Sequence, residues 1–305
     1  MRVAVTGGAG YIGAELVAVL STDERITELL VYDDLSRGHH GLFMGPRLGK
    51  VPVRFVQGDI LDSRKLRKEL AGIDLVFHLA AKVTTPFADA GHHQFEQVNH
   101  WGTAEVVYAI EDVAPEARVV YLGSTAVYGS GQAAAVMTDR PRPRSAYGYS
   151  KLRGEAHMKR LMDDRHVTIL RSGNVYGPGR SMRFDAVINR FMFEAHHKGR
   201  ISISGSGTQR RPFVHIDSVV ATLSALVHDG PRSGLFDLVD LDLSILDLVE
   251  SLRVIYPDME FLFVDQHLEL LSLQVPRDER LQGVQPVRSN ELVQELWAMR
   301  SQFAW

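Results

Sequence analysis

No cysteine occurs among the 305 residues. That excludes disulfides, thiol nucleophiles and cysteine metal sites, and it fits a reducing compartment. Long apolar runs are missing too: none approaches the roughly 18 residues of a membrane span. Charge of one sign is not in excess. The formal net charge is -3, which gives nucleic acid or an anionic membrane surface no electrostatic pull. The chain enters an expected strand at Arg2, with no charged leader or apolar h-region before it. A cytoplasmic protein with neither nucleic acid nor membrane as partner is expected. Histidine pairs at His39-His40, His92-His93 and His196-His197 lack the spacing of metal ligands. Adjacent side chains point apart, and no His-x-x-x-His with a carboxylate accompanies them, so no metal is expected.

What is present has ordinary globular proportions, with 45% hydrophobic and 23% charged residues. The length allows one large α/β domain or two coupled lobes. The first half alternates short apolar runs with helical patterns, as a parallel sheet with crossover helices requires. Strands are expected at Val3–Thr6, Leu29–Asp33, Val53–Gln57, Leu75–Leu79, Val119–Gly123 and Thr168–Arg171. Helices are expected at Ile12–Leu20, Ser63–Leu70, Phe95–Ile110 and Ala146–Met162. The basic, proline-rich Asp139–Arg144 reads as a surface loop. After about Gly173 the alternation weakens. Helices near Phe184–His197, Asp217–His228, Ile245–Tyr256 and Asn290–Met299 mix with strands at Ile201–Ile203, Leu235–Val239 and Glu260–Val264. The fold class is therefore α/β, a doubly wound Rossmann-type sheet of about seven strands with a smaller mixed substrate lobe. Residues 1–172, with a return segment near 211–230, form the dinucleotide-binding domain. Residues 173–210 and 231–305 form the lobe.

Thr6 to Gly13 follows a strand and opens a helix, the context of a phosphate-cradling glycine turn. Its spacing is Gly7-x-x-Gly10-x-x-Gly13. Asp33 and Asp34 end the second strand. A carboxylate there accepts ribose hydroxyls and repels a 2′-phosphate, which favours NAD over NADP by at least tenfold, about 1.4 kcal/mol. Arg37 opposes this, since arginine can hold such a phosphate; with Asp33 replaced by Ser it would act unopposed. Asp59 reads equally as an adenine ligand or as a cap for the helix at Ser63.

Tyr147 and Lys151 lie four apart, on one face of a helix. A free tyrosine titrates near pH 10, and a nearby ammonium favours its phenolate. Ser124 adds a hydroxyl to hold the reacting oxygen. Together they can take a proton from an alcohol while a nicotinamide takes the hydride. His78 reads as a packed, hydrogen-bonded histidine, and Trp297 and Trp305 as core or terminal packing.

These motifs, in this order, resemble the extended short-chain dehydrogenase/reductase family, in its nucleotide-sugar epimerase and dehydratase branch. The resemblance runs from Val3 to about Asp217. It rests on Thr-Gly-Gly-Ala-Gly-Tyr-Ile-Gly at 6–13, Asp-Asp-Leu-Ser-Arg-Gly at 33–38 and Gly-Asp-Ile at 58–60. It continues with His-Leu-Ala-Ala at 78–81, Ser-Thr-Ala-Val-Tyr-Gly at 124–129, Tyr-Gly-Tyr-Ser-Lys at 147–151, Arg-Ser-Gly-Asn-Val-Tyr-Gly-Pro-Gly at 171–179 and Arg-Arg-Pro-Phe-Val-His-Ile-Asp at 210–217. Pro212 and Ser218 stand where the family commonly has acids.

The resemblance implies Gly7, Gly10, Tyr11, Ile12 and Gly13 on the cofactor diphosphate, and Asp33, Asp34, Leu35, Ser36 and Arg37 around the adenosine ribose. Asp59 and Ile60 would meet the adenine, and Leu79, Ala80, Ala81, Lys82 and Asn99 would line the cofactor. Ser124, Tyr147 and Lys151 would be catalytic, the last two also reaching the nicotinamide ribose. Asn174, Arg211 and Arg277 would bind the diphosphate of a nucleotide-sugar substrate. A homodimer pairing the helices Phe95–Ile110 and Ala146–Met162 is implied as well. The 4,6-dehydratases of the branch carry Asp-Glu after the serine-position hydroxyl; Thr125 and Ala126 stand here and cannot act as acid or base. Epimerisation at C4 through a 4-keto sugar is the leading expectation. A reductase or dehydrogenase on the same scaffold is the alternative, and a non-catalytic NAD-sensing protein comes third.

Overall fold

The computed structural model describes residues 1–83, 91–131, 141–228, 233–267, 269–289 and 291–304. Asp139, Arg140, Asn290 and Trp305, which figured in the expectations above, lie outside them. In chain order the strands are β1 Arg2–Thr6, β2 Glu28–Asp33, β3 Val53–Gln57, β4 Leu75–His78, β5 Arg118–Ser124, β6 Val167–Ser172, β7 Asn174–Tyr176, β8 Arg200–Ser204, β9 Arg210–His215, β10 Gly234–Leu238, β11 Leu241–Ser244 and β12 Glu260–Val264. The helices are α1 Tyr11–Leu20, α2 Gly41–Met44, α3 Ser63–Leu70, α4 His92–Phe95, α5 Thr103–Val113, α6 Ala146–Met162, α7 Val187–Lys198, α8 Ile216–His228, α9 Ile245–Ile255 and α10 Leu292–Arg300.

Seven parallel strands form the central sheet in the order β10-β6-β5-β4-β1-β2-β3. Burial on both faces explains their continuous apolar runs. One face packs Leu16, Val17 and Leu20 of α1 with Val219 and Leu223 of α8. The other packs Leu66 and Leu70 of α3 with Val106 and Ile110 of α5 and Met158 of α6. A third core lies in the smaller lobe, where Phe191 and Met192 of α7 meet Leu248 and Leu252 of α9 and Leu296 of α10. That lobe also holds the sheet β11-β9-β7 and the pair β12-β8. No helix among the described residues is long and apolar enough to cross a membrane.

Three expectations change. The return segment expected near 211–230 is split: β9 pairs with β7 and β11 in the lobe, and only α8 packs on the central sheet. The strand near Leu235–Val239 is not part of the lobe. As β10 it pairs in parallel with β6, Gly234 opposite Thr168 and Leu238 opposite Ser172. The helix expected over Phe95–Ile110 is not uniformly α: Glu96–Gly102 is a π-helical stretch between α4 and α5. Gly102 sits where a Cβ would lie 2.4 Å from Ile60 Cδ1. π-helical turns are frequent near functional sites, and this one carries the buried Asn99.

Candidate active site

The sheet's strand order reverses between β1 and β4, and a cavity of about 860 Å³ opens at the carboxyl ends of these strands. This is where a doubly wound sheet binds its ligands. The turn after β1 is built for close approach. Gly7 has φ +72°, and a Cβ on it would lie 2.6 Å from Ala80 N. A Cβ on Gly13 would lie 2.2 Å from Gly7 O. Helix α1 has Gly10 as N-cap and no side-chain cap, so its first-turn amides face the cavity for an anion. Tyr11 ties this helix to the opposite wall by donating to Gly177 O at 2.5 Å.

Asp33 sits at the end of β2 with both oxygens aimed by backbone. Ala9 N donates to Oδ2 at 3.0 Å and Leu35 N to Oδ1 at 2.8 Å. Burial raises its carboxyl pKa and these two amides oppose the rise. Leu35 has φ 58°, a left-handed conformation that a non-glycine residue holds only at a cost of order 1–2 kcal/mol. Asp34, Ser36, Arg37, Asp59, Ile60, Leu79, Ala81 and Lys82 line the same cavity. Asp59 does not cap α3; Asp62 does, accepting from Lys65 N at 3.1 Å. The residues expected at the diphosphate and ribose of a dinucleotide thus line one cavity, and the glycine cradle fits the group.

Asn99 is the exception. It is buried behind the wall, where Oδ1 accepts from Lys82 N at 2.8 Å and Nδ2 donates to Lys82 O at 2.9 Å and Ser150 Oγ at 3.0 Å. It clamps the β4 loop and is a positioning residue. His78 is packed as expected, between Thr6 Oγ1 at 2.7 Å and Thr103 Oγ1 at 3.0 Å, and burial pushes its pKa down to about 3.

The chemical end of the cavity lies between β5 and α6. Ser145 caps α6, accepting from Gly148 N at 3.0 Å, and so sets Tyr147 in its first turn. Gly148 lets the helix seat closely, since a Cβ there would lie 2.7 Å from Ala126 O. Ser124 hydrogen-bonds Tyr147. Burial raises the Tyr147 pKa, while Ser124 and the charge of Arg183 oppose the rise. Lys151 was expected to be the opposing charge. Instead its buried ammonium donates to Leu122 O at 2.7 Å and lies 4.6 Å over the Tyr121 ring. Desolvation pushes its pKa down to about 7, opposed by Glu155.

On the substrate side Asn174 and Arg211 line the cavity. Asn174 Nδ2 donates to Pro212 O at 3.0 Å, and Arg211 Nη1 to Leu271 O at 2.7 Å. Burial lowers the Arg211 pKa and no carboxylate opposes it, as suits a site for an anion. Arg277 is elsewhere. It lines a separate pocket of about 60 Å³ with Asp240 and Arg288, and its Nη2 donates to Gln285 O and Pro286 O, both at 2.9 Å. Its chain position mimicked a family arginine, but the C-terminal segment folds it away. The cavity takes Arg183, Asp185 and Arg190 instead. The irregular stretch before α7 hid the first two. Arg190 follows Val187-Ile188-Asn189 in the first turn of α7, which was the available signal for the third.

The model of the NAD dependent epimerase/dehydratase family matches residues 3–237. The dTDP-D-glucose 4,6-dehydratase of Mus musculus is 30% identical over 257 residues, 82% of this chain and 72% of that one. The UDP-glucose 4-epimerase of Mycolicibacterium smegmatis is 32% identical over 246 residues, 77% of this chain and 74% of that one. Among solved structures, MoeE5 in complex with UDP-glucuronic acid and NAD has a TM-score of 0.83 at 26% identity, covering 99% of this chain and 98% of that one.

Proposed function

The chain belongs to the NAD dependent epimerase/dehydratase family, and on that premise we propose that it inverts C4 of a nucleotide-diphosphate sugar through a 4-keto intermediate. The cofactor is NAD. NAD held by Gly7, Gly10, Gly13 and Asp33 would supply the redox chemistry, as reversible hydride acceptor for the sugar carbon. Tyr147 takes the C4 hydroxyl proton and later gives it back. Ser124 holds the same oxygen. The positive field of Arg183 favours the phenolate when the proton moves, and Lys151 would hold the nicotinamide ribose. Arg211 and Asn174 hold the substrate diphosphate while the ketone turns over. A homodimer through α5 and α6 belongs to this reading.

One observation carries the choice of reaction: Thr125 and Ala126 follow Ser124 on the cavity wall. A 4,6-dehydratase must take a proton from C5 and give one to the departing C6 hydroxyl, as well as move the O4 proton. The carboxylates among the described lining residues are Asp33, Asp34, Asp59 and Asp185. Three belong to the adenosine wall, and Asp185 is ion-paired with arginines. Dehydration therefore has no acid-base pair beside Ser124, despite the dehydratase relative.

The test incubates the protein with UDP-glucose, UDP-glucuronic acid and UDP-N-acetylglucosamine in D₂O, followed by proton NMR. One sugar should give its 4-epimer with no deuterium at C4 or C5. Deuterium at C5 with a 4-keto-6-deoxy product would establish dehydration instead. Tyr147→Phe should lower kcat at least a thousandfold, roughly 4 kcal/mol of barrier, while NAD stays bound.

A further inference from the structure

Asp33 and Arg37 oppose one another at the dinucleotide's 2′ position, and a third group decides how that contest runs. Asp185 lies between β7 and α7, on the substrate side of the cavity. Its Oδ2 accepts from Arg37 Nη2 at 3.4 Å. Arg183 grips the same carboxylate with both arms, Nε to Oδ1 at 3.0 Å and Nη2 to Oδ2 at 2.8 Å. Asp185, Arg37 and Arg183 all line the cavity, beside Asp33 and Ser36. Arg37 is therefore not a loose cation at the end of its turn. It is tied across the cleft to a residue of the opposite wall.

That tie bears on cofactor choice. A guanidinium free to turn would meet a 2′-phosphate with paired N–H donors. One engaged by a carboxylate must leave that partner first, and the ion pair is lost when it does. We propose that Asp185 is a specificity-determining residue for the dinucleotide: it engages Arg37 and so withholds from a 2′-phosphate the cation placed beside the ribose. Asp33 rejects NADP by repulsion, and Asp185 rejects it by occupying the phosphate's partner. Discrimination built this way uses an unfavourable element as well as a favourable one. Replacing Asp33 alone consequently does not leave Arg37 unopposed, contrary to the expectation from sequence. The lowered pKa of Asp185, held down by Arg183 and Arg37 against burial, fits an ion-paired carboxylate at neutral pH.

The inference rests on NAD being the cofactor and not on the C4 chemistry, so its test reads binding alone. Protein stripped of dinucleotide is titrated calorimetrically with NAD and with NADP. Asp185→Asn should tighten NADP about tenfold, equivalent to about 1.4 kcal/mol, and leave NAD within about threefold. Arg37→Gln alone should leave the ratio of NADP to NAD affinity near wild type. Combining Arg37→Gln with Asp185→Asn should restore the wild-type ratio, assigning the gain to Arg37 rather than Arg183. An unchanged ratio in Asp185→Asn overturns the proposal, as does a gain that survives in the double variant. If Asp185→Asn does not fold, Arg37→Gln decides: a tenfold loss of NADP affinity would mean that Arg37 already reaches the phosphate, and no loss supports the tie to Asp185.

Discussion

Lys151 is the residue whose environment differs most from expectation. Its identity and its spacing from Tyr147 were plain in the sequence, because a helix repeats every 3.6 residues. Its pKa was not, because desolvation depends on what covers the side chain, and Tyr121 and Leu122 come from another element. The same holds for Tyr147: burial by residues distant in sequence outweighs the local chemistry. The shift on Lys151 has a consequence for stability. The unfolded chain keeps a proton on lysine up to about pH 10.4, whereas the folded protein releases it near pH 7. Between these values the unfolded state binds more protons, so this group makes stability rise with pH over roughly pH 7 to 10. The limiting slope is about 1.4 kcal/mol per pH unit. Urea unfolding of wild type and Lys151→Met at pH 7, 8 and 9 should show wild type gaining on the variant at each step. A constant difference would mean that the lysine stays charged when folded.

Helices and strands of the nucleotide-binding half were legible because their patterns are local. Ser63–Leu70 and Ala146–Met162 have the expected bounds, and Ser145 and Asp62 cap them as such residues do. The π stretch at Glu96–Gly102 was not legible, since its register is set by contacts with the β4 loop and α6. A Cβ at Gly154 would lie 2.3 Å from Asn99 O, so α6 and the π stretch touch backbone to side. Trp101 of the π stretch, Tyr108 of α5 and Tyr149 of α6 are exposed. Exposed aromatics on neighbouring helical elements suit a helix-to-helix interface. Sedimentation at micromolar concentration should find a homodimer, and Trp101→Arg with Tyr108→Glu should give a folded monomer. A monomeric wild type would remove the dimer from the reading.

For the whole molecule, the fold class was legible and the ownership of β10 was not. A short apolar run read in isolation carries no mark of the sheet it joins. Yet its placement imposes an order of events on the newborn chain. Strand β10 follows β6 by roughly 60 residues, several seconds of synthesis at about 5–20 residues per second. Until it arrives, β6 is an open edge with a fully buried sequence, the template on which strands of other chains can grow. The intervening residues build β7, β8 and β9, so much of the smaller lobe is synthesised before the central sheet can close. A chain ending at Ser172 should therefore be lost to aggregates, detected by light scattering during refolding, while one running through α8 and β10 should stay in solution longer. The dinucleotide half, although first in sequence, waits on its neighbour to become complete.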